Sequence, residues 1–538
     1  MKRFAIQTLA VFASLLLVGT AANAAAGKFE FTLRHRIPAD DEGKLYRTVT
    51  RAETWDAAQT AVIVCDVWDS HHCLNAVRRV QEMVPRMNQF LITARTRGAL
   101  IIHAPSDCMA FYKDHPGRRL AETAPQAPNL PADIGNWCHR IPAEERGTYP
   151  IDQSDGGEDD DAQEHREWQD KLRGMGRNPK APWTREIDVL EIRDGDAVSD
   201  KGAEVWNLLE QRSIRNVVLL GVHTNMCVLG RPFGLRQMAK NGKHVVLVRD
   251  LTDTMYNPQR SPQVSHFSGT DLIVEHIEKF VCPTITSDQL LGGREMRFAG
   301  DRRPHVALVI SEPEYGTEHS LTEFARQQLH RDCRVSLIYG DAQDGNLLPG
   351  LEVLNSADVA LISVRRRALP KAQLDLIRKF VADGKPVVGI RTASHAFDIR
   401  NAKLPTGSAL WPEFDRDVLG GNYHGHHGSK GPESQAVVWV EKAAAAHPIL
   451  QGVPTGEFRV HSSLYKTSPL GPKATVLLMG RVGTVQPHEP VAWTNTHSGG
   501  GRVFYCALGA PGDFALPAFQ RLLANGIRWV AGRDAAKP

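Results

Sequence analysis

Asn216-Val217-Val218-Leu219-Leu220-Gly221-Val222-His223-Thr224-Asn225-Met226-Cys227-Val228 is the stretch that decides the fold. Its apolar, β-branched start reads as a buried strand, Gly221 as a tight turn, and the rest as the start of a helix. Cys227 therefore stands where backbone N–H groups and the positive end of a helix both favour a thiolate. A second strand, Thr60-Ala61-Val62-Ile63-Val64-Cys65, ends on Asp66 and sets a carboxylate at the same kind of place.

Around these two stretches, strands are expected at 60–65, 99–103, 187–192, 216–220 and 244–248. Amphipathic helices are expected near 75–97, 200–212, 227–240 and 270–280. Apolar strands alternating with helices predict a parallel sheet covered on both faces, with its active site at the carboxyl ends of the strands. Residues 25–58 read as a short β-rich extension and 59–287 as the first domain. A long insert at 104–185 carries the acidic run Asp155-Gly156-Gly157-Glu158-Asp159-Asp160-Asp161, read as a solvated loop without calcium-loop spacing.

The polar, glycine-containing segment 288–303 reads as a linker. A second α/β series fills 304–534, beginning at His305-Val306-Ala307-Leu308-Val309-Ile310. The predicted fold class is thus α/β, with two doubly wound, three-layer α/β/α domains.

Of the 538 residues, 42% are hydrophobic and 23% charged, and the formal charge is only +3, which gives no case for nucleic acid or an anionic membrane as partner. Lys2 and Arg3, the apolar run 9–18 and Ala22-Asn23-Ala24 form a signal-peptide pattern. Cleavage is expected after Ala24, giving a periplasmic or secreted protein with no membrane attachment. The eight cysteines have wide, irregular spacings that match neither a disulfide scaffold nor a zinc site. A pairing of Cys73 with Cys108 or Cys138 stays open.

The strand-end Asp66, together with Gly221-Val222-His223-Thr224-Asn225-Met226-Cys227-Val228, resembles the isochorismatase-like cysteine hydrolases over about residues 59–287. The resemblance implies Cys227 as nucleophile, Asp66 as general base, and the backbone amides of His223 and Cys227 as oxyanion donors. It also implies an unusual peptide bond around Val222-His223. The family's catalytic lysine falls near Asp194, where this chain reads Glu191-Ile192-Arg193-Asp194, so Arg193 is the stand-in. Arginine and lysine are not interchangeable at such a position. Trp68, His71, His72 and Asn225 are candidate substrate contacts. Some amidases of the family bind a metal beside the cysteine. Asp69, His71 and His103 are the candidate ligands here for a zinc-like divalent ion, although no cofactor is required.

In the second series, Val388-Gly389-Ile390-Arg391-Thr392-Ala393-Ser394-His395 has the strand–turn–helix shape of a nucleophile elbow, with Arg391 at its apex. With Leu419-Gly420-Gly421-Asn422-Tyr423-His424-Gly425-His426, His447-Pro448 and the strand around Val503-Phe504-Tyr505, it resembles the ThuA (trehalose-utilisation-like) family. That family has a glutamine-amidotransferase-like fold. The candidate site there is Arg391, His395, His424 and His426, set to hold a carbohydrate-like ligand. The expected function is an exported hydrolase of a small amide or related C–N bond, acting on a small, sugar-related molecule; a homo-oligomer is compatible with the sequence. The alternative is a ligand-binding or scaffold protein that keeps both folds without the chemistry.

Overall fold

A computed structural model describes residues 27–40, 43, 45–427 and 435–533. The expected signal peptide lies outside them. Among the described residues no helix is long and apolar enough to cross a membrane.

The first domain is an eight-stranded sheet in the order β2-β1-β8-β7-β6-β3-β4-β5. The strands are β1 (Lys28–Pro38), β2 (Tyr46–Asp56), β3 (Thr60–Cys65), β4 (Leu100–Ala104), β5 (Ala197–Val198), β6 (Asn216–Val222), β7 (His244–Asp253) and β8 (Thr284–Ile285). β3 to β8 are parallel, as their unbroken apolar runs predict. Ile63 and Cys65 bury into one core and Val62 and Val64 into the other, so both faces of the sheet are covered. From β3 the chain moves outward to β4 and β5, then returns to the other side for β6 and β7. The topological switch point therefore lies between β3 and β6, and both strands deliver their carboxyl ends to one crevice. Gly221 permits this pairing. Its φ is +118°, and a Cβ there would lie 2.1 Å from the carbonyl oxygen of Cys65.

The 25–58 extension is a hairpin that completes the sheet. β1 pairs antiparallel with β2 and touches β8 at Arg34 and Thr284. Two expectations need correction. Residues 187–192 form no strand: Ile187 N–H donates to Val67 O and Leu190 N–H to Ile187 O, which coils the segment into a turn. The fifth strand is the short β5 instead. The helix expected over 227–240 is split, because a single wide turn holds Thr224–Val228 and the regular helix begins only at Leu235. The long helix α1 (Leu74–Thr96) forms as its periodicity predicts.

The second domain is a ten-stranded mixed sheet rather than a wholly parallel one. β9 (His305–Ser311), β10 (Arg334–Tyr339) and β11 (Val359–Val364) run parallel with Val387–Ile390 and Arg502–Cys506. The remaining strands return antiparallel. Glu489–Thr496 and Arg502–Cys506, for instance, are joined by a turn too short for any parallel crossover. The 288–303 segment is docked rather than free: Arg303 bonds Asp301, Asp271 and Ser268, and Glu295 pairs with Arg334 of β10. All eight cysteines are buried free thiols, so the open Cys73 pairing is not made.

Candidate active site in the first domain

Asp66 leaves β3 with a positive φ of 51° and a fully buried side chain. Such a backbone is costly for a non-glycine residue and aims the carboxylate across the crevice. One oxygen accepts from Ser106 N–H at 2.8 Å and the other from Arg231 Nε at 2.9 Å. The Cys227 thiol is the third member of this cluster: Asp66 and Arg231 act on its ionisation in opposite directions. The Val222–His223 peptide is cis. In the wide turn that follows, Met226 N–H and Val228 N–H both donate to His223 O. Neither bond uses the amides of His223 or Cys227, the two expected oxyanion donors.

Burial pushes the Cys227 thiol well above its ordinary range. The Asp66 charge adds to that, and Arg231 opposes it. Burial also raises Asp66, against the pull of Arg231 and the hydrogen bonds from Cys227 and Ser106. The resting cluster is therefore a neutral thiol beside an Asp66 side chain clamped by Arg231.

Arg231 is the member of this cluster that the sequence reading missed. It lies four residues after Cys227, one helical turn on and hence on the same face, and that spacing was the available signal. Its guanidinium stacks 5.4 Å from the Trp137 ring and approaches Asp107 at 3.6 Å. Arg193 lies elsewhere: it is exposed and pairs with Glu191. The cation at the thiol thus comes from the turn that follows Cys227, where Arg231 N–H donates to Cys227 O at 2.9 Å, not from the loop that holds Arg193. Arg193→Ala is expected to leave hydrolysis within about twofold of wild type, since a change at an exposed pair costs little; steady-state kinetics on both proteins checks this.

The other candidates are distributed as follows. Asp66, Trp68, Asp69, His71 and His223 line one narrow pocket against α1. Trp68 stacks on Trp183 at 4.4 Å and donates to Ser106 O, and His71 packs 4.8 Å from His223. Burial, then neighbouring His223, His72 and Arg79, keeps His71 neutral, and burial holds His223 down at about 3. His72 leaves its Nδ1 without a partner. Asn225 is a brace instead: its amide nitrogen bonds Gln153 and Met255 O, and its oxygen accepts from Met255 N–H.

The three proposed metal ligands do not converge. Asp69 is taken by Arg177 and Thr184. His71 Nδ1 accepts from Cys73 N–H. His103 lies between Glu186 at 2.6 Å and Asp196 at 3.4 Å. Burial alone would lower His103, but the two carboxylates outweigh it and raise it to about 9. A protonated imidazole is no ligand.

The acidic run is not a solvated loop. Asp160 caps α1 through Leu74 N–H and Asn75 N–H. Asp159 forms a bidentate pair with Arg79, which also bonds Asp253 at 2.7 Å, and His266 bridges both carboxylates. Asp253 O in turn accepts from Thr224 Oγ1, so this buried network props up the turn that carries Cys227. Burial would lower His266, but Asp253 and Asp159 outweigh burial and Arg79 and raise it to about 9. A group raised in the folded state contributes stability in full below its ordinary value of 6.5 and loses it as pH climbs through about 9. His266→Ala is expected to cost about 3 kcal/mol near pH 6, with the gap to wild type narrowing above pH ~9. Denaturant melts at the two pH values measure this.

In the second domain, Arg391 occupies the elbow apex with φ +41° and is buried. Its guanidinium lies between the Tyr315 and Tyr465 rings and donates to Ala507 O, Ser463 Oγ and Tyr315 Oη. It fills the nucleophile's place with a structural cation. His395 is buried and stacks on Tyr423 at 4.5 Å, and His424 is exposed. His426 sits on a two-residue strand paired with Tyr465.

Comparison with known proteins finds likenesses to each half of the chain. Residues 307–530 match the family model described as ThuA, trehalose utilisation. No curated protein matches the chain. Among solved structures, a thua-like protein from Parabacteroides merdae is similar at 17% identity, covering 44% of this chain and 93% of its own, with a TM-score of 0.31. A cysteine hydrolase from Pseudomonas syringae pv. phaseolicola is similar at 15% identity, covering 44% and 92%, with a TM-score of 0.27. An isochorismatase from Pseudomonas putida is similar at 13% identity, covering 44% and 91%, with a TM-score of 0.26.

Proposed function

We propose that the first domain is a cysteine hydrolase of small amides or related C–N bonds, working in the exported protein that the N-terminal leader pattern implies. The observation that carries this is the buried Cys227–Asp66–Arg231 cluster at the topological switch point. In the proposed cycle Asp66 takes the Cys227 proton as sulfur attacks the carbonyl carbon. Arg231 lowers the cost of the negative charge shared by thiolate and carboxylate, the role the absent lysine would fill. The amides of His223 and Cys227 hold the oxyanion. Protonated Asp66 then gives its proton to the leaving amine, and water, activated by the same carboxylate, releases the acid from the thioester. The positive charge this chemistry needs comes from Arg231, so the cycle calls for no metal.

The test is intact-protein mass spectrometry after rapid quench with a panel of primary amides and activated esters. An acyl adduct mapped to Cys227 is expected. Substrate turnover without any adduct, or adducts only on other cysteines, would sink the assignment. For the second domain we read a ligand-binding role on a carbohydrate-like molecule rather than amidotransfer, because Arg391 replaces the nucleophile.

A further inference from the structure

At the carboxyl end of the second sheet lies a cavity of about 740 Å³ between the loops that follow β11 and the strand Val387–Ile390. Its chemistry is uneven in a way that points to a ligand. On one side are Arg366 and Arg400, each with a positive φ, 50° and 55°. Arg366 donates to Asp398 O at 3.2 Å and meets its carboxylate at 3.6 Å, Arg365 is paired with Glu314, and Glu413 also lines the cavity; Arg366, Arg365 and Arg400 still act together on His395 as a positive field. Behind burial, that field is what keeps His395 neutral.

On the other side is Asp415, 7% exposed. One of its oxygens accepts from Tyr423 N–H at 2.7 Å, while Oδ1 is buried with no partner. Gly421 makes room for it: a Cβ there would lie 2.4 Å from Oδ1. A buried carboxylate oxygen left unsatisfied costs stability unless something else bonds it. Burial raises this carboxyl to about 7, so it can either accept from a hydroxyl or donate to one near neutral pH. Ser394 and Asn422 also line the wall, each already bonded within the protein, Ser394 Oγ to Arg391 O and Asn422 Nδ2 to Ser468 O.

We propose that this cavity binds a small organic anion bearing hydroxyl groups, with the anionic end on Arg366 and Arg400 and a hydroxyl at the Asp415 carboxyl. The proposal rests on the ligand-binding reading of the second domain and narrows its ligand to an acidic, polyhydroxylated one.

Calorimetric titration of the full-length mature protein separates the terms. The probes are gluconate and glucose 6-phosphate (anion plus hydroxyls), glucose and trehalose (hydroxyls only) and inorganic phosphate (anion only). Both hydroxylated anions are expected to bind at least about 10-fold more tightly than any other probe. Arg400→Ala, an exposed change that spares folding, is expected to weaken them about 10-fold. Asp415→Asn, which keeps the acceptor for Tyr423, should weaken them similarly while leaving phosphate unaffected. Cys227→Ala, which lies in the first domain, should leave all five binding affinities as they are. If glucose or trehalose binds as tightly as the anions, or Arg400→Ala leaves their affinity intact, the anion assignment falls and the carbohydrate reading stands. If none of the five probes binds, both fall.

Discussion

Cys227→Ala is expected to lower amide hydrolysis by at least about 10⁴-fold while leaving the fold in place. The sulfur is the only atom in the cluster that can form the covalent intermediate, and loss of a nucleophile removes the pathway rather than slowing it. The side chain is small and sits at the end of a strand–turn unit held by other bonds, so its truncation costs about 1 kcal/mol of packing. A thermal midpoint within a few degrees of wild type, measured beside the kinetics, separates lost chemistry from lost structure. Retention of full turnover would exclude Cys227 as nucleophile and turn attention to a non-catalytic, ligand-binding role for this domain.

The second large effect is expected at Arg231. Arg231→Ala should reduce kcat/KM by about 10²- to 10³-fold, the usual scale for losing one preorganised electrostatic partner of a transition state. The sign of its pH effect is fixed by the cluster. Arg231 opposes the burial that raises Asp66, so its removal moves Asp66 further up and carries the acid limb of the activity profile to higher pH. Arg231 also opposes the rise of the thiol, so alkylation of Cys227 by iodoacetamide should slow at every pH between 6 and 9. Arg231→Lys restores the charge without the fork that bonds Asp66 and should recover only part of the rate. An unchanged acid limb in Arg231→Ala would show that the arginine merely packs against Trp137.

The legible parts of the molecule are those whose signal is local. β3, β6 and β7 are unbroken apolar runs with clear ends, and a parallel sheet starting at β3 brings Asp66 and Cys227 to neighbouring strand tips. What failed locally was 187–192, whose alternating pattern mimics a strand but is turned by bonds to Val67 and within itself. The second sheet's antiparallel half was likewise set by short connections rather than by strand composition. In the site, Arg193 came from a template position in a loop, whereas Arg231 was readable only by asking what shares a helix face with the thiol. The acidic run looked solvated because its partners, Arg79, Asp253 and His266, are about 80 to 107 residues from Asp159 in sequence and no local pattern announces them. Asp415 gave no signal at all: its environment is made by Gly421, Tyr423 and the depth of the cavity.

The β1–β2 hairpin carries a consequence for how the chain assembles. Its strands follow one another directly and can pair as soon as they are made. Its place in the sheet, however, depends on Thr284 of β8 and on Glu278, which bonds both Arg34 and Arg36 from some 240 residues downstream. Arg47 then reaches Gly340 O in the second domain. Contacts over such separations form late, because the loop must close before they contribute. The hairpin is made before the strand it joins, yet it is therefore expected to be among the last elements to dock, and it closes the first domain while fastening it to the second.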